Sequence, residues 1–330
     1  MRQKIVLNHL PKSYKLTEKL ASAETTLLSL EIMPPRVGQQ FDALLHQLMP
    51  ILEFQPSFIN VTYHQQEKIY REKPDGTIEK IVLRKRPGTV GISAALKYKT
   101  GVEVVPHLIC GGFTKEETES ALFDLHYLDI KNVMLLRGDP PPGNKHFIPE
   151  PNGHKYAVDL VRQVANMNRG IYLDHSLLDP QPTDFCIGVA GYPEKHYEAP
   201  NMSVDLQNLK AKVDAGAHYI VTQMFFDNRY FFEFEKKCRD IGIRVPIIPG
   251  IKPISRKKHL KTIPKTFHVS LPEELTNELL KAKDDSHAYE IGIEWAIHQS
   301  KELKRAGVPM LHYYTMGRMK NIFRILSEVF

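Results

Sequence analysis

The segment Val133-Met134-Leu135-Leu136-Arg137-Gly138-Asp139 joins a short apolar run to a cation, a glycine and a carboxylate. A run of this length, bounded by turn residues, is typical of a buried strand. A strand that ends in charged residues places them at the edge of a sheet, and the glycine lets a ligand approach the backbone closely. Active sites of (β/α)8 barrels are built in this way. Because an isolated Arg-Gly-Asp triplet is also common in surface turns, the rest of the chain decides the interpretation.

Seven more apolar runs of strand length occur along the 330 residues. The eight predicted strands cover residues 27–33, 58–63, 102–109, 133–136, 185–190, 219–223, 245–249 and 310–315. Most are continuously apolar, as parallel strands buried on both faces are. Helical patterns separate them, at 39–52, 92–99, 115–129, 156–168, 204–215, 230–240 and 284–305. This alternation predicts a single (β/α)8 TIM barrel over residues 27–330, preceded by an N-terminal extension over residues 1–26.

Two departures from a regular alternation help to define the fold. A doubly wound dinucleotide fold needs a glycine-rich loop after its first strand, and this chain has Pro34-Pro35-Arg36 there instead. Residues 64–86, with Pro74-Asp75-Gly76 at their centre, predict a hairpin inserted after the second strand. Since it follows the C-terminal end of that strand, the hairpin is expected on the active-site side, as a lid or as a solvated excursion. A second insertion, residues 171–183, is expected at the opposite end.

Composition limits the classes of partner. The 44 basic and 38 acidic residues give a net charge of +6 that is spread along the chain, which disfavours nucleic acid and suits an anionic small molecule. Cys110, Cys186 and Cys238 have neither a nearby second cysteine nor zinc-ligand spacing, so we expect a reducing cytoplasm and no metal. No apolar stretch has the length of a membrane span or of a signal-peptide core.

Polar side chains end most of the predicted strands. HExxH, P-loop and Ser-His-Asp patterns are absent from the sequence, so the chemistry is expected to come from an organic cofactor. The polar residues at or just beyond the strand ends are Glu31, Thr62, Tyr63, His107, Arg137, Asp139, Tyr192, Gln223 and Arg318.

Several of these residues lie in motifs that together resemble one family. The motifs are LEIMPPR from Leu30, NVTY from Asn60, VPHL from Val105, LRGD from Leu136, AGYPE from Ala190, TQMFFD from Thr222, PGI from Pro249 and HYYT from His312. In this order they resemble the methylenetetrahydrofolate reductase family, flavin enzymes that reduce 5,10-methylenetetrahydrofolate to 5-methyltetrahydrofolate with NAD(P)H and feed methionine synthesis. The chain is similar to the bacterial type, the catalytic barrel without the regulatory domain of eukaryotic members. The resemblance also implies a homo-oligomer.

The resemblance implies a role for individual residues around the folate. Glu31 matches the general acid that helps to protonate the folate nitrogen and open the five-membered ring. Its apolar neighbours suggest a setting that raises the carboxyl pKa, as this task requires. Asp139 and Gln223 match the groups that hydrogen-bond the pterin. Arg318 matches the residue expected to bind the glutamate carboxylate of the folate, for which an arginine side chain is suited.

The resemblance also implies FAD. The matching cofactor-binding residues are Thr62, His107, Arg137, Gly138, Asp139, Tyr192, His196, Asp205, Asn208 and Lys212. Ala211 stands where the family often has an arginine beside that lysine. The clearest departure is Ile263, which by count occupies the position of an aromatic residue that stacks on the pteridine and the nicotinamide, while His259 replaces an upstream glutamine. An aliphatic wall in place of the ring would weaken binding by about 1 kcal/mol.

Two other functions remain open from the sequence. The barrel would be a partner-dependent flavin subunit if it took its electrons from another protein rather than from a nicotinamide. It would be a redox-inactive folate-binding module if the missing aromatic residue reflected lost activity. Retention of Glu31, Asp139 and Gln223 argues against the second.

Overall fold

The computed structural model describes residues 13–140, 144 and 146–330, with the backbone alone at Lys68. Eight parallel strands close into a barrel in the order β1-β2-β5-β6-β7-β8-β9-β10, and β10 pairs back with β1. The barrel strands are β1 (Leu27–Ile32), β2 (Phe58–Val61), β5 (Val104–Ile109), β6 (Asn132–Leu136), β7 (Cys186–Gly191), β8 (Tyr219–Met224), β9 (Ile247–Ile251) and β10 (Met310–Tyr314). Each coincides with one of the eight predicted strands to within about two residues at either end. The predicted (β/α)8 barrel is therefore confirmed.

Helices cover the outside of the barrel, except α1, which precedes β1 and lies at the N-terminal end of the barrel. They are α1 (Leu16–Ala21), α2 (Phe41–Leu52), α3 (Thr89–Thr100), α4 (Lys115–Tyr127), α5 (Ala157–Met167), α6 (Met202–Asp214), α7 (Asn228–Asp240), α8 (His259–Phe267), α9 (Glu273–Lys281), α10 (Asp285–Arg305) and α11 (Met319–Val329). A local signal explains the start of α4, where Thr114 and Glu117 form a reciprocal capping box. None of the described helices is both long enough and apolar enough to cross a bilayer.

The inserted hairpin is present where it was predicted. Strands β3 (Glu67–Glu72) and β4 (Ile78–Leu83) pair with each other in an antiparallel sheet separate from the barrel. Its base lies beside the C-terminal ends of the barrel strands. There, Val37 N donates to Lys85 O over 3.0 Å and Gln65 Nε2 donates to Asp139 O over 3.1 Å.

The N-terminal end of the barrel is closed by the segment that precedes β1. Leu16 of α1 is buried among inward-facing side chains of the barrel, including Phe58, Val105 and Tyr219. The first twelve residues of the predicted extension, 1–12, lie outside the described residues. The described part packs on the barrel, and the division of the chain at residue 27 remains a prediction.

A buried polar network binds the segment that precedes β1 to the barrel. Lys97 and Glu103 are both about 95% buried, with Nζ 3.6 Å from Oε2. Ser13 Oγ donates to the Glu103 carboxylate at 2.9 Å and accepts from Lys97 Nζ at 2.6 Å. Asn132 Nδ2 donates to Glu103 Oε1, and Asn132 Oδ1 accepts from the backbone N–H of Leu16. Because a buried charge is costly unless paired, this network fixes α1 in one position.

Candidate active site

The candidate active site lies at the mouth formed by the C-terminal ends of the barrel strands. Residues two apart on a strand share a face, so Ser29 and Glu31 of β1 both point into the barrel. The same alternation brings inward His107 of β5, together with His312 and Tyr314 of β10. The mouth thus collects polar side chains from strands that are far apart in sequence, as barrel active sites do.

Glu31 is the carboxyl group at the centre of one half of this mouth. Its side chain is 14% exposed, and Oε2 lies 3.7 Å from His107 Nε2. Burial raises the pKa of Glu31 to about 8, although the positive charge of Lys252 lowers it in part. The group is therefore mostly protonated at neutral pH, which is the state that a general acid needs.

Two buried histidines point into the barrel, His107 beside Glu31 and His312 beside Ser29. Burial lowers the pKa of both His107 and His312 to about 3, so both rings are neutral at pH 7. The contact between His107 and a protonated Glu31 is then not an ion pair. Ser29 Oγ lies 2.9 Å from His312 Nδ1, while Nε2 of each ring lacks a hydrogen-bond partner in the described part of the chain. His107 is thus a polar but uncharged neighbour of Glu31, whereas Lys252 supplies a positive charge.

The other half of the mouth is organised around Tyr192, which follows β7. Its ring lies 4.7 Å from that of His196, edge to face. Burial raises the pKa of Tyr192 and keeps its hydroxyl protonated, with the charges of Asp205, Arg137 and Asp139 close enough to contribute. The structure therefore brings together these five predicted residues.

Arg137 has a partner that the sequence did not indicate. Its guanidinium donates to Glu198 Oε2 over 2.5 Å and lies 5.2 Å from the centre of the Phe147 ring. The ion pair lowers the pKa of Glu198. A carboxylate two residues beyond His196 in the same loop could have been flagged as such a partner.

Helix α6 carries three predicted residues on one face. Asp205, Asn208 and Lys212 are three and four residues apart, the spacing that stacks side chains along a helix. Asp205 Oδ2 accepts from the backbone N–H of His196 at 3.0 Å, and Lys212 Nζ donates to Ala190 O at 2.6 Å. Burial lowers the pKa of Lys212 to about 8, and Asp205 opposes this shift. Asn208 is exposed.

The remaining predicted residues lie at the rim. Thr62 Oγ1 lies 3.1 Å from His64 Nε2, and Gln223 Oε1 accepts from the backbone N–H of Met224. Asp139 is exposed, next to Gly138. Gly138 has a φ of +86°, and a Cβ there would lie 3.1 Å from Ile109 Cδ1, so both the backbone conformation and the space favour glycine. Arg318 begins α11 as its N-cap.

Ile263 of α8 is a buried residue. Its side chain is 2% exposed and lies in a cluster with Met224, Val269 and Leu275, under helices α8 and α9. That this side chain forms an aliphatic wall facing the ligands remains a prediction. Burial of its apolar side chain between the sheet and α9 accounts for its position.

Lys252 is a site residue that the sequence analysis missed. It directly follows β9, is 7% exposed and neighbours Glu31, Arg318 and His259 electrostatically. The quoted motif ended at Ile251, yet Lys252 lies two residues after the inward-facing Gly250, so strand periodicity was the available signal. Gly250 itself has no room for a side chain, since a Cβ would lie 2.4 Å from Thr222 O and 2.5 Å from the Tyr314 ring.

The fold and the mouth define a (β/α)8 barrel with an acid residue at the C-terminal ends of its strands, where the active sites of such barrels lie. Comparison with known proteins identifies the family. The profile of the family described as methylenetetrahydrofolate reductase matches residues 15–329, and the chain belongs to this family.

Similar proteins come from bacteria, animals and plants. The chain is 32% identical over 319 residues to the 5,10-methylenetetrahydrofolate reductase of Escherichia coli. This match covers 96% of the chain and 95% of that protein. The chain is 31% identical over 326 residues to a probable methylenetetrahydrofolate reductase (NADPH) of Caenorhabditis elegans and 32% identical over 328 residues to methylenetetrahydrofolate reductase (NADH) 1 of Arabidopsis thaliana. These matches cover 97% and 96% of the chain but only 45% and 50% of those two proteins. The chain thus spans about half the length of such relatives.

A solved structure supports the fold. An uncharacterized Clostridium thermocellum protein, described as binding two copies of 5-methyl-5,6,7,8-tetrahydrofolic acid, aligns with a TM-score of 0.52 and 13% identity. The alignment covers 95% of this chain and 97% of that one. At this identity the likeness concerns the fold alone.

Proposed function

We propose that the protein reduces 5,10-methylenetetrahydrofolate to 5-methyltetrahydrofolate with NAD(P)H, with FAD as bound cofactor and the two substrates using one mouth in turn. The observation that carries the proposal is Glu31, a mostly buried carboxyl group that burial keeps protonated near neutral pH. Membership of the family and the nearly complete overlap with the bacterial relative support it.

The acid step follows from the setting of Glu31. Reduction of the methylene bridge requires the five-membered ring to open, and protonation of a folate nitrogen makes that nitrogen a better leaving group. Glu31 would hold this proton because burial outweighs the opposing charge of Lys252, and His107 at 3.7 Å is neutral at pH 7. Asp139 and Gln223 would orient the pterin through directional hydrogen bonds, and Arg318 would bind the glutamate carboxylate of the substrate.

The residues at the mouth fit FAD. When bound, FAD would carry the hydride from the nicotinamide to the folate. Lys212 and His196 would contact its diphosphate, Asp205 would accept from a ribose hydroxyl, and Tyr192 would offer a ring for stacking. Arg137 would lie beside the isoalloxazine and ribityl chain. Gly138 leaves the backbone open beside β6, and His107 Nε2 is a buried polar atom still lacking a partner within the described residues. Thr62 and Asn208 complete the set that we assign to the cofactor.

Two further expectations accompany the proposal. The product would supply methionine synthesis in the cytoplasm, and the three cysteines, all unpaired and buried, suit a reducing compartment. The family resemblance leads us to expect a homo-oligomer.

The visible spectrum of the purified protein under anaerobic conditions tests the proposal. We expect a flavin spectrum that bleaches when NADH or NADPH is added and returns when 5,10-methylenetetrahydrofolate follows. A bound flavin that neither nicotinamide can bleach would instead favour a partner-dependent flavin subunit. Failure to bind FAD on reconstitution, with folate still bound, would favour a folate-binding module.

A further inference from the structure

Lys252 is a buried cation that the proposed function leaves without a role. Its side chain is 7% exposed, and its ammonium makes no hydrogen bond or ion pair with any residue that the structure describes. Burying an unpaired ammonium costs several kcal/mol, so such groups are uncommon away from functional sites. The position of Lys252 at the end of a barrel strand adds to this argument.

Strand register brings Lys252 to the level of Glu31. Strand β1 pairs with β10 at Glu31 and Tyr314, and β10 pairs with β9 at Tyr313 and Ile251. Lys252 comes one residue after Ile251 and is therefore level with Tyr314 and Glu31 across three neighbouring strands. It also lies two residues after Gly250, whose missing side chain leaves room for the inward-facing Tyr314 ring.

We propose that Lys252 is a positioning residue for the general acid: its ammonium stabilises the carboxylate that Glu31 becomes when its proton moves to the folate nitrogen. The inference rests on the proposed function. In this step the Oε–H bond of Glu31 breaks and an N–H bond forms on the folate. Lys252 keeps its three protons, and a neutral carboxyl beside an ammonium becomes an ion pair.

The charges around the pair agree with this role. Glu31 faces His107 and Tyr314 as well as Lys252; burial lowers the pKa of His107 to about 3 and raises that of Tyr314, so both are neutral near pH 7. Burial also lowers the pKa of Lys252 to about 8; the Arg318 charge adds to that shift and Glu31 opposes it.

On the other side of Lys252 is His259 of α8. Burial lowers its pKa to about 4, and the cations Lys252, Arg318, Arg256 and Lys258 add to the shift. This half of the mouth therefore has an excess of positive charge, and Lys252 is the cation whose influence reaches Glu31. A carboxylate formed at Glu31 would relieve that excess.

The test compares Lys252→Met, which removes the charge at similar length, with Lys252→Arg, which keeps it. Lys258→Met, at an exposed lysine of the same loop, is the matched control. Infrared titration of the protonated Glu31 carboxyl band, assigned with Glu31→Gln, follows the acid itself and needs no turnover. Single-turnover mixing under anaerobic conditions follows the reduction by NADH and the reoxidation by folate separately across pH.

Loss of an opposite charge favours the protonated carboxyl, so Lys252→Met should move the infrared midpoint of Glu31 up by about one pH unit. It should slow reoxidation by folate about tenfold to a hundredfold while reduction by NADH keeps its rate. Lys252→Arg should keep most of the wild-type Glu31 midpoint and of the wild-type reoxidation rate, and Lys258→Met should behave as wild type.

An unmoved Glu31 midpoint in both Lys252→Met and Lys252→Gln would overturn the inference, as would equal slowing of both half-reactions. A wild-type enzyme whose flavin is not reoxidised by folate would instead contradict the proposed function, and the infrared titration would still test the Lys252–Glu31 coupling.

Discussion

Replacing Glu31 with glutamine should abolish folate reduction and leave reduction of the flavin by NADH intact. Glutamine has nearly the same shape and can keep a polar contact with His107, which lies 3.7 Å from the carboxylate oxygen. It has no proton to give at neutral pH. Only the step that needs an acid should therefore be affected.

The magnitude follows from the pKa of Glu31. A carboxyl group at its ordinary value of 4.5 would be about 0.3% protonated at pH 7, whereas at about 8 it is about 90% protonated, a gain of about 300-fold in the acid form. General acids contribute about 10²-fold to 10⁴-fold. We therefore expect the folate half-reaction of Glu31→Gln to fall by about 10³-fold. In the wild type, the same reaction should be nearly flat below pH 7 and fall about tenfold per unit well above pH 8, since a raised carboxyl pKa loses its acid form as the pH rises.

Anaerobic stopped-flow mixing measures both halves separately. Flavin bleaching by NADH reports the first, and recovery of the flavin band after addition of 5,10-methylenetetrahydrofolate reports the second. Asp42→Asn, at an exposed carboxylate in the first turn of α2, is a suitable control. A Glu31→Gln enzyme that reoxidises at the wild-type rate would refute the acid role, and loss of both half-reactions would point to a structural role.

Three further changes test other parts of the account. Glu31 binds its proton more tightly in the folded than in the unfolded protein, so the unfolding free energy of the wild type should fall as the pH rises from about 4.5 to 8, by at most about 1.4 kcal/mol per pH unit. Denaturant titration should show that the unfolding free energy of Glu31→Gln rises relative to that of the wild type over this range. The absence of such a relative rise would argue against the raised pKa. Glu103→Leu leaves Lys97 buried without its carboxylate and should cost about 3–5 kcal/mol of unfolding free energy, whereas a change under 1 kcal/mol would show that the network does not hold α1. Gly138→Ala introduces a side chain at φ +86° and should cost about 1–2 kcal/mol and reduce the bound flavin per chain; full flavin content would remove Gly138 from the cofactor site.

Much of the architecture could be predicted because the barrel strands are continuous apolar runs. Val104–Ile109 and Cys186–Gly191 are almost fully buried, as parallel strands covered on both faces are. Helices α8 and α9 were missed because each has nine residues and Pro264 interrupts the first. Helix α11 was also missed, although Ile322, Ile325, Leu326 and Val329 are buried at helical spacing and could have revealed it.

The site was only partly predictable, for a physical reason. Strand ends identify which residues reach the mouth, and Glu31, His107, Arg137 and Tyr192 are there. Sequence does not say which inward-facing residues share a level, since that depends on the register between strands. The proximity of Lys252 to Glu31 and the pairing of Arg137 with Glu198 come from register and loop geometry. The burial of Ile263 could likewise not be read from its position in the sequence, because counting along a helix does not give the face that the side chain occupies.

The most direct test of the central claim is a single turnover of the reduced enzyme. Protein bleached with one equivalent of NADH under anaerobic conditions is mixed with 5,10-methylenetetrahydrofolate, and the 5-methyltetrahydrofolate formed is quantified against the flavin that recovers its colour. The account predicts about one product molecule per flavin reoxidised. Recovery of the flavin without the methylated product, or no recovery at all, would contradict it.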